Sequence, residues 1–322
     1  MAAASVAPST LAAPHAAQGI VPRSFVGSSI STLESTVPTT TIMTWNTLAR
    51  SLCDADGFPH TEKDALDWSK RALLMESELF PTTRPHASII ALQEMDEDVA
   101  EEWLRPLCEK YRMQLLYAKK ASADNRDGCA LLVDTAKWKV VTSQRVILGP
   151  SPGTSQVALV AHLQQIPPPT PSTMIGHTPV QLLVASVHLK SKPGHEEVRL
   201  GQIAGLLNVM ELLYPDHRET HHTLVLGDFN DIPSSLACTT MREAGFTSLY
   251  DADDAPYTTA KKRQAVVQRT IDYMWWRAPI ATATPISFKR LLAIPPITAF
   301  PTWLPSTHYP SDHMALAAQL VL

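Results

Sequence analysis

None of the four cysteines, Cys53, Cys108, Cys129 and Cys238, stands in a Cys-x-x-Cys pair or in a Cys/His cluster with zinc spacing. A disulfide framework and a zinc module are therefore excluded. The cysteines read as reduced thiols, mostly buried as small hydrophobes, in a reducing compartment such as the cytoplasm. No apolar run approaches the roughly 20 residues of a membrane span. No run of basic residues is long enough to track a long polyanion either. Lys and Arg total 27 against 31 Asp and Glu, for a net charge of −4. A general nucleic-acid binder usually shows a basic footprint, and its absence weakens that reading, whereas a site that grips one or two phosphates needs only a few local cations. Glycine is scarce, 12 against 26 prolines, which points to stiff loops. No internal repeat recurs at a fixed period, so no solenoid is present.

What remains is 322 residues, 45% hydrophobic, enough for one large globular domain with a sizeable core. Residues 1–38 are rich in Ala, Ser, Thr and Pro, with Arg23 and Glu34 the only charged side chains. They are expected as a disordered tail. Their shortage of acids is also that of a mitochondrial transit segment, although one arginine is few for that role. The domain is expected over 39–322.

Thr41–Trp45 reads as the first core strand, with Asn46 just past it. Residues 66–80 have helical periodicity stopped by Pro81, and Ser88–Leu92 is a buried strand ending in Gln93 and Glu94. Residues 98–111 read as a helix whose middle is disturbed by Pro106, and Met113–Tyr117 and Cys129–Val133 as strands. Residues 138–148 and 156–166 alternate as antiparallel neighbours, followed by a proline-rich insertion over 167–179. Gln181–Val187 is a core strand, after which His188, Lys190 and Lys192 face one way if extended geometry persists. A helix over 196–213 follows. Leu224–Leu226 then end a buried strand at Gly227, with Asp228 and Asn230 at its C-terminal edge. Residues 234–244 form a short helix, Ile271–Trp276 a strand carrying Asp272, and Met314–Val321 the last strand, preceded by Asp312 and His313.

Asn46, Glu94, His188, Asp228, Asn230, Asp272, Asp312 and His313 thus share one placement, at or just beyond a core strand. Ligands bind outside the carboxyl ends of strands in α/β sheets. A few oxygen groups without Cys suit Mg²⁺ or Mn²⁺, and an Asp beside a His suits water activation. Each residue alone is an ordinary strand-end polar group; eight in one placement are hard to attribute to chance turns.

Trp45–Asn46, Leu92–Gln93–Glu94, Val187–His188, Gly227–Asp228–Phe229–Asn230, Ile271–Asp272–Tyr273 and Ser311–Asp312–His313 together resemble the endonuclease/exonuclease/phosphatase superfamily, in order and approximate spacing. The resemblance implies a four-layer α/β sandwich of two mixed, largely antiparallel sheets flanked by helices, and in-line hydrolysis of a phosphate ester. It implies that Glu94 holds the metal, oriented by Asn46. His188 and Asn230 would contact the scissile phosphate, and Asp228 would position or deprotonate the attacking water. His313 would stabilise the phosphoryl group or deliver a proton, with Asp272 fixing its tautomer. Asp312 would reach the metal directly or through water. A second metal is not implied.

Two groups within the superfamily are similar to this chain. One removes the 2′-phosphate of NADP(H) and shares segments such as Asp127–Leu131, His188–Lys190, Pro256–Thr259 and Tyr309–His313. Its basic pocket residues match Lys119, Lys190, Lys192 and Arg263, with Arg269 an alternative to Arg263. The other comprises carbon-catabolite-repressor-type 3′-to-5′ poly(A) exoribonucleases, with the same catalytic centre. The expected substrate is therefore NADP(H) or an RNA 3′ end, with no membrane and no obligate protein partner.

Overall fold

The computed structural model describes residues 20–27, 39–149, 155–167, 179–250, 254–262, 265–280, 287–300 and 303–321. A seven-stranded sheet runs β1 (Phe25–Gly27), β14 (Ser287–Leu292), β15 (Leu316–Val321), β2 (Thr39–Asn46), β3 (Ile89–Asp96), β5 (Asp127–Asp134), β4 (Met113–Lys119). A six-stranded sheet runs β10 (Thr247–Ser248), β13 (Asp272–Arg277), β9 (His222–Asp228), β8 (Gln181–His188), β7 (Val157–Gln165), β6 (Trp138–Ile147). A separate hairpin pairs β11 (Thr259–Lys262) with β12 (Val266–Arg269). Each large sheet has one parallel pair, β2/β3 and β8/β9, and is otherwise antiparallel.

The strands read as near-continuous apolar runs because both faces of each sheet are covered. Period-two alternation sorts their side chains. Ile89 and Ala91 of β3 meet Leu182 and Val184 of β8 and Leu224 and Leu226 of β9 in the core between the sheets. Ile90 and Leu92 face outward into a second core, completed by Met75 and Leu79 of α2 (Trp68–Leu79) and Leu107 of α4 (Arg105–Lys110). Leu183, Ala185 and Val225 face the other way, under Ile203, Leu206 and Met210 of α5 (Glu196–Leu213) and Met241 of α7 (Leu236–Glu243). The order helix, sheet, sheet, helix is the expected four-layer sandwich. Truncating a Leu in the inter-sheet core should cost about 2–5 kcal/mol.

Local breaks have local causes. The helix expected over 66–80 is α1 (Lys63–Leu66) and α2, divided at Asp67, whose carboxylate accepts the Lys70 N–H at 3.2 Å and caps α2. The helix expected over 98–111 starts as α3 (Glu97–Val99), widens into a π-type turn over Ala100–Leu104 and continues as α4. Pro106 lacks an N–H and crowds the carbonyl four residues back, and the wider turn lies over that carbonyl. The short α6 (His217–Thr220) links α5 to β9.

The expected disordered tail needs correction over residues 20–27. Phe25 is buried and β1 pairs with β14. The buried Arg23 guanidinium donates to Glu78 at 2.9 Å and to the carbonyls of Ala293 and Ala315. One arginine and one phenylalanine dock the segment, a signal that average composition hides. Residues 1–19 and 28–38, and 168–178 of the proline-rich insertion, lie outside the described residues.

His222, at the start of β9, is 5% exposed and stacks on Trp276. Burial pulls its pKa down to about 4. The unfolded chain therefore binds more protons between pH 6.5 and 4, and this share of stability, full above pH 6.5, is lost as pH falls through 4. We expect His222→Phe to raise the melting temperature more at pH 5 than at pH 7.5. A pH-independent difference would remove the protonation account.

Candidate active site

The two parallel strand pairs end together. Asn46 closes β2, Glu94 lies near the end of β3, and His188 and Asp228 close β8 and β9. In the six-stranded sheet His188, Asp228 and Asp272 sit in direct lateral register. A polar bridge joins the sheets beneath them. The Gln93 amide donates to the Ser186 hydroxyl at 3.1 Å, which donates to the Leu92 carbonyl. The close approach requires Gly227, since a Cβ there would lie 2.0 Å from the Val187 carbonyl oxygen and φ is +144°.

Glu94 owes its direction to a bulge. Residues 93–94 face Cys129 alone, because β3–β5 pairing slips between Leu92 and Met95. Such a bulge re-aims a side chain, and Glu94 has φ +54°. Leu48, Lys192 and Asn230 are also left-handed, so four of the five described non-glycine residues with positive φ flank this site. At about 1–3 kcal/mol each, that strain persists only where the surroundings over-determine it.

Asn46 is fixed by its own loop. Its side-chain oxygen accepts the Leu48 N–H, which leaves Nδ2 to donate to Glu94 Oε1 at 3.1 Å and Asp228 Oδ2 at 3.0 Å. The other Asp228 oxygen accepts the Asn230 N–H at 2.7 Å. His313 is held from both ends: Trp45 donates to its carbonyl, and its N–H donates to Ser311 Oγ, which in turn donates to the Asn46 carbonyl. Its Nδ1 lies 2.9 Å from Asp272 Oδ2, and Thr258 donates to the same oxygen at 2.6 Å. That leaves Nε2 facing Asp228 at 3.9 Å and Asp312 at 4.0 Å.

Burial disfavours a charged His313, but Asp272, Asp312 and Asp228 outweigh it and hold the ring protonated. Asp228 moves up from the usual carboxylate range, first by burial and then by Asp272. Burial, assisted by Lys120, pulls His188 down to about 3, so its ring is neutral. Both His188 nitrogens are buried without a hydrogen-bond partner; Nε2 lies 3.8 Å from Glu94 and 3.7 Å from Asp228.

Glu94, His188 and Asp228 can offer one ligand atom each within 4.8 Å of one another. A buried acid cluster with orphaned imidazole nitrogens is costly alone, and a hard divalent cation offsets it. The residues therefore fit a divalent metal. Asp312 is engaged otherwise: Lys261 Nζ lies 2.8 Å from its Oδ2, and Lys261 with His313 holds its pKa down against burial.

The eight strand-end residues thus converge. The cations do so only in part. Lys119 pairs with Glu97 at the surface, 2.7 Å away, whereas its neighbour Lys120 turns inward to Asp127 at 2.6 Å and bears on His188. β8 ends at His188 and Lys192 is left-handed and exposed, so the expected alternation of Lys190 and Lys192 stops. Arg263 lies outside the described residues, and Arg269 is exposed on β12. Lys190 is half-buried on a loop pinned from below. The buried Arg199 of α5 donates to the Lys190 and Lys192 carbonyls, 3.1 Å each, and to Asp231 at 2.8 Å, and Gln202 accepts the Lys190 N–H. Sequence reading missed Lys261, Lys120, Thr258 and Arg199. Arg199 and Gln202 break the apolar face of α5, a signal available at the sequence level.

The Nocturnin of Rattus norvegicus is 28% identical over 301 residues, covering 88% of this chain and 65% of that protein. This chain thus spans under two thirds of that relative. The Ccr4 3′-5′-exoribonuclease subunit of the CCR4-Not complex from Kluyveromyces lactis is 23% identical over 73% of this chain and 30% of its own length. The human Nocturnin catalytic domain with bound sulfate superposes with a TM-score of 0.67 at 24% identity, covering 92% of this chain and 97% of that one. ANGEL2, described as a 2′,3′-cyclic phosphatase, superposes with a TM-score of 0.74 at 20% identity, covering 94% and 99%. The profile of the Endonuclease/Exonuclease/phosphatase family matches residues 43–313, a span that holds every residue of the converging cluster, and the chain belongs to this family of generally divalent-metal-dependent phosphoester hydrolases.

Proposed function

We propose that the chain removes the 2′-phosphate of NADP(H), with Mg²⁺ (or Mn²⁺) at Glu94. The observation that carries this reading is the form of the basic surface beside the site. Lys190 sits on one clamped loop within a chain of net charge −4. A few cations suffice for one dinucleotide through charge-assisted hydrogen bonds, whereas a poly(A) groove needs a longer strip with stacking aromatics. The Nocturnin relatives support the same reading.

In this reading Glu94 holds the ion, with Asn46 fixing the carboxylate. The ion supplies Lewis-acid polarisation of the phosphoryl oxygens. Asp228, its basicity raised by burial, takes a proton from the attacking water. Neutral His188 and the Asn230 amide lie against the phosphoryl oxygens. His313, protonated and held by Asp272, faces the developing charge with Nε2 and delivers a proton to the leaving oxygen. Asp312, paired to Lys261, keeps that ammonium at the mouth of the site rather than reaching the metal itself.

A 3′-to-5′ poly(A) exoribonuclease is the second reading, favoured by the shared catalytic centre and the Ccr4 relatives. Lys190→Ala separates the two. It should raise KM for NADPH about tenfold with kcat within a factor of three, because one charged hydrogen bond contributes about 1.5–3 kcal/mol. An unchanged KM for NADPH, with weakened oligo(A) cleavage, favours the exoribonuclease.

A further inference from the structure

Two charged residues, Arg71 and Glu78, interrupt the buried stripe of α2 that Met75 and Leu79 otherwise fill. Glu78 is paired with Arg23 and Arg84, 2.9 and 3.3 Å away. Arg71 is 1% exposed, and its hydrogen bonds among the described residues go to carbonyl oxygens alone. Nε donates to Pro310 at 2.7 Å, and Nη2 donates to Thr47 at 2.9 Å and to Leu48 at 2.5 Å. Nη1 is buried without a hydrogen-bond partner. A buried guanidinium is costly unless paired. Here three carbonyls and the Trp68 ring, 6.0 Å from Cζ, stand where an acid is usual. Burial pulls the Arg71 pKa down, and Cys53, Asp312, Glu94 and Asp96 oppose that through space. Glu94 and Asp312 belong to the catalytic cluster.

The three carbonyls belong to two loops that carry the site. Thr47 and Leu48 directly follow Asn46. The Leu48 N–H fixes the Asn46 side chain at 3.0 Å, and the next N–H, of Ala49, donates to Glu94 Oε2 at 3.3 Å. Leu48 has φ +58°, a conformation that leucine rarely adopts and that persists only where its surroundings over-determine it. Its carbonyl and that of Thr47 converge on the one Nη2 atom. On the other side, Pro310 precedes Ser311, whose hydroxyl donates to the Asn46 carbonyl at 2.7 Å and accepts the His313 N–H at 3.1 Å. One side chain thus ties the turn that orients Asn46 and Glu94 to the segment that carries Asp312 and His313. Arg71 itself bonds to none of these four side chains.

We propose that Arg71 is a positioning residue, which spans the Thr47, Leu48 and Pro310 carbonyls and so holds the Asn46–Glu94 turn and the His313 segment in mutual register. The assignment rests on the reading above only for the divalent ion at Glu94, and it holds for either substrate. A planar fork with donors on separate nitrogens suits this span, which the single ammonium of a lysine does not match. Without the fork, Leu48 is free to leave its left-handed turn. The Asn46 amide then no longer fixes the Glu94 carboxylate, and His313 shifts relative to Asp228. Groups that orient a metal ligand are worth about 10- to 100-fold in metal affinity.

The test is Mn²⁺ binding to the full chain by calorimetry, without substrate. Beside it stand kinetics at saturating Mg²⁺, on whichever of NADPH and oligo(A) the wild type hydrolyses, and thermal melts that identify the folded variants. Arg71→Met, which keeps the aliphatic stem, should weaken Mn²⁺ binding about tenfold or more. It should lower kcat about tenfold through misplacement of His313. KM should stay within roughly a factor of three, because the buried side chain meets no substrate. Arg71→Lys should fall between wild type and Arg71→Met in both Mn²⁺ affinity and kcat, and it keeps the test open if the Met variant fails to fold. Wild-type Mn²⁺ affinity and kcat in either folded variant, with only the melting temperature lowered, would overturn the proposal and leave Arg71 a packing residue. No Mn²⁺ uptake by wild type would instead overturn the ion at Glu94, and this proposal with it.

Discussion

Asp228→Asn should lower phosphate-ester turnover about 10³- to 10⁴-fold while the melting temperature stays level or rises. Asp228 is where the site meets: Asn46 and Asn230 donate to its two oxygens, and the Nε2 atoms of His188 and His313 lie 3.7 and 3.9 Å away. The amide keeps the shape and loses the base. It also turns an NH₂ toward one of two existing donors, at a cost of about 1 kcal/mol for the lost hydrogen bond. Against that, burial and then Asp272 disfavour the wild-type carboxylate, so neutralising it relieves both, and the lost attraction to His313, 3.9 Å away, offsets only part of that gain. Active-site charge of this kind trades stability for activity. Paired measurement of kcat and the melting temperature checks the claim. A steep drop in melting temperature with activity largely retained would make Asp228 a structural residue.

Glu94→Gln should abolish activity at millimolar Mg²⁺. The bulge at residues 93–94 and the positive φ aim Glu94 at His188 and Asp228, and an amide there lacks the charge that a hard cation requires. Asn46→Ala, which removes the hydrogen bond orienting Glu94, should cost about 10- to 100-fold in metal affinity. Mg²⁺ titration of activity ranks the three proteins. Full turnover of the Glu94 variant in EDTA-treated buffer would remove the residue from the metal site.

The strand ends were legible because the chemistry is local to each. An apolar run followed by Asn46, Glu94, His188 or Asp228 marks a sheet edge without any knowledge of pairing. What brings the edges together was not legible. The two parallel pairs join residues 47 and 40 apart in the chain, and the Gln93–Ser186 bridge joins residues 93 apart. The bulge that aims Glu94 depends on the partner strand, where a Cβ at Gly128 would lie 2.2 Å from the Ala118 carbonyl oxygen. The cations were read less well for a related reason. Lys119 and Lys120 are adjacent, and strand geometry sends adjacent side chains to opposite faces, so a one-residue choice decided which reaches the site. Lys261 rests on a hairpin whose bridge from Thr259 to His313 spans more than 50 residues.

The central claim is that this catalytic centre serves a dinucleotide phosphate. Its most direct test is inorganic phosphate release from NADP⁺ and NADPH beside AMP release from oligo(A), at equal enzyme and Mg²⁺. The account predicts stoichiometric conversion of NADP(H) to NAD(H), with oligo(A) shortened slowly or not at all. Efficient shortening of oligo(A) with NADP(H) untouched would contradict it and establish the exoribonuclease in its place.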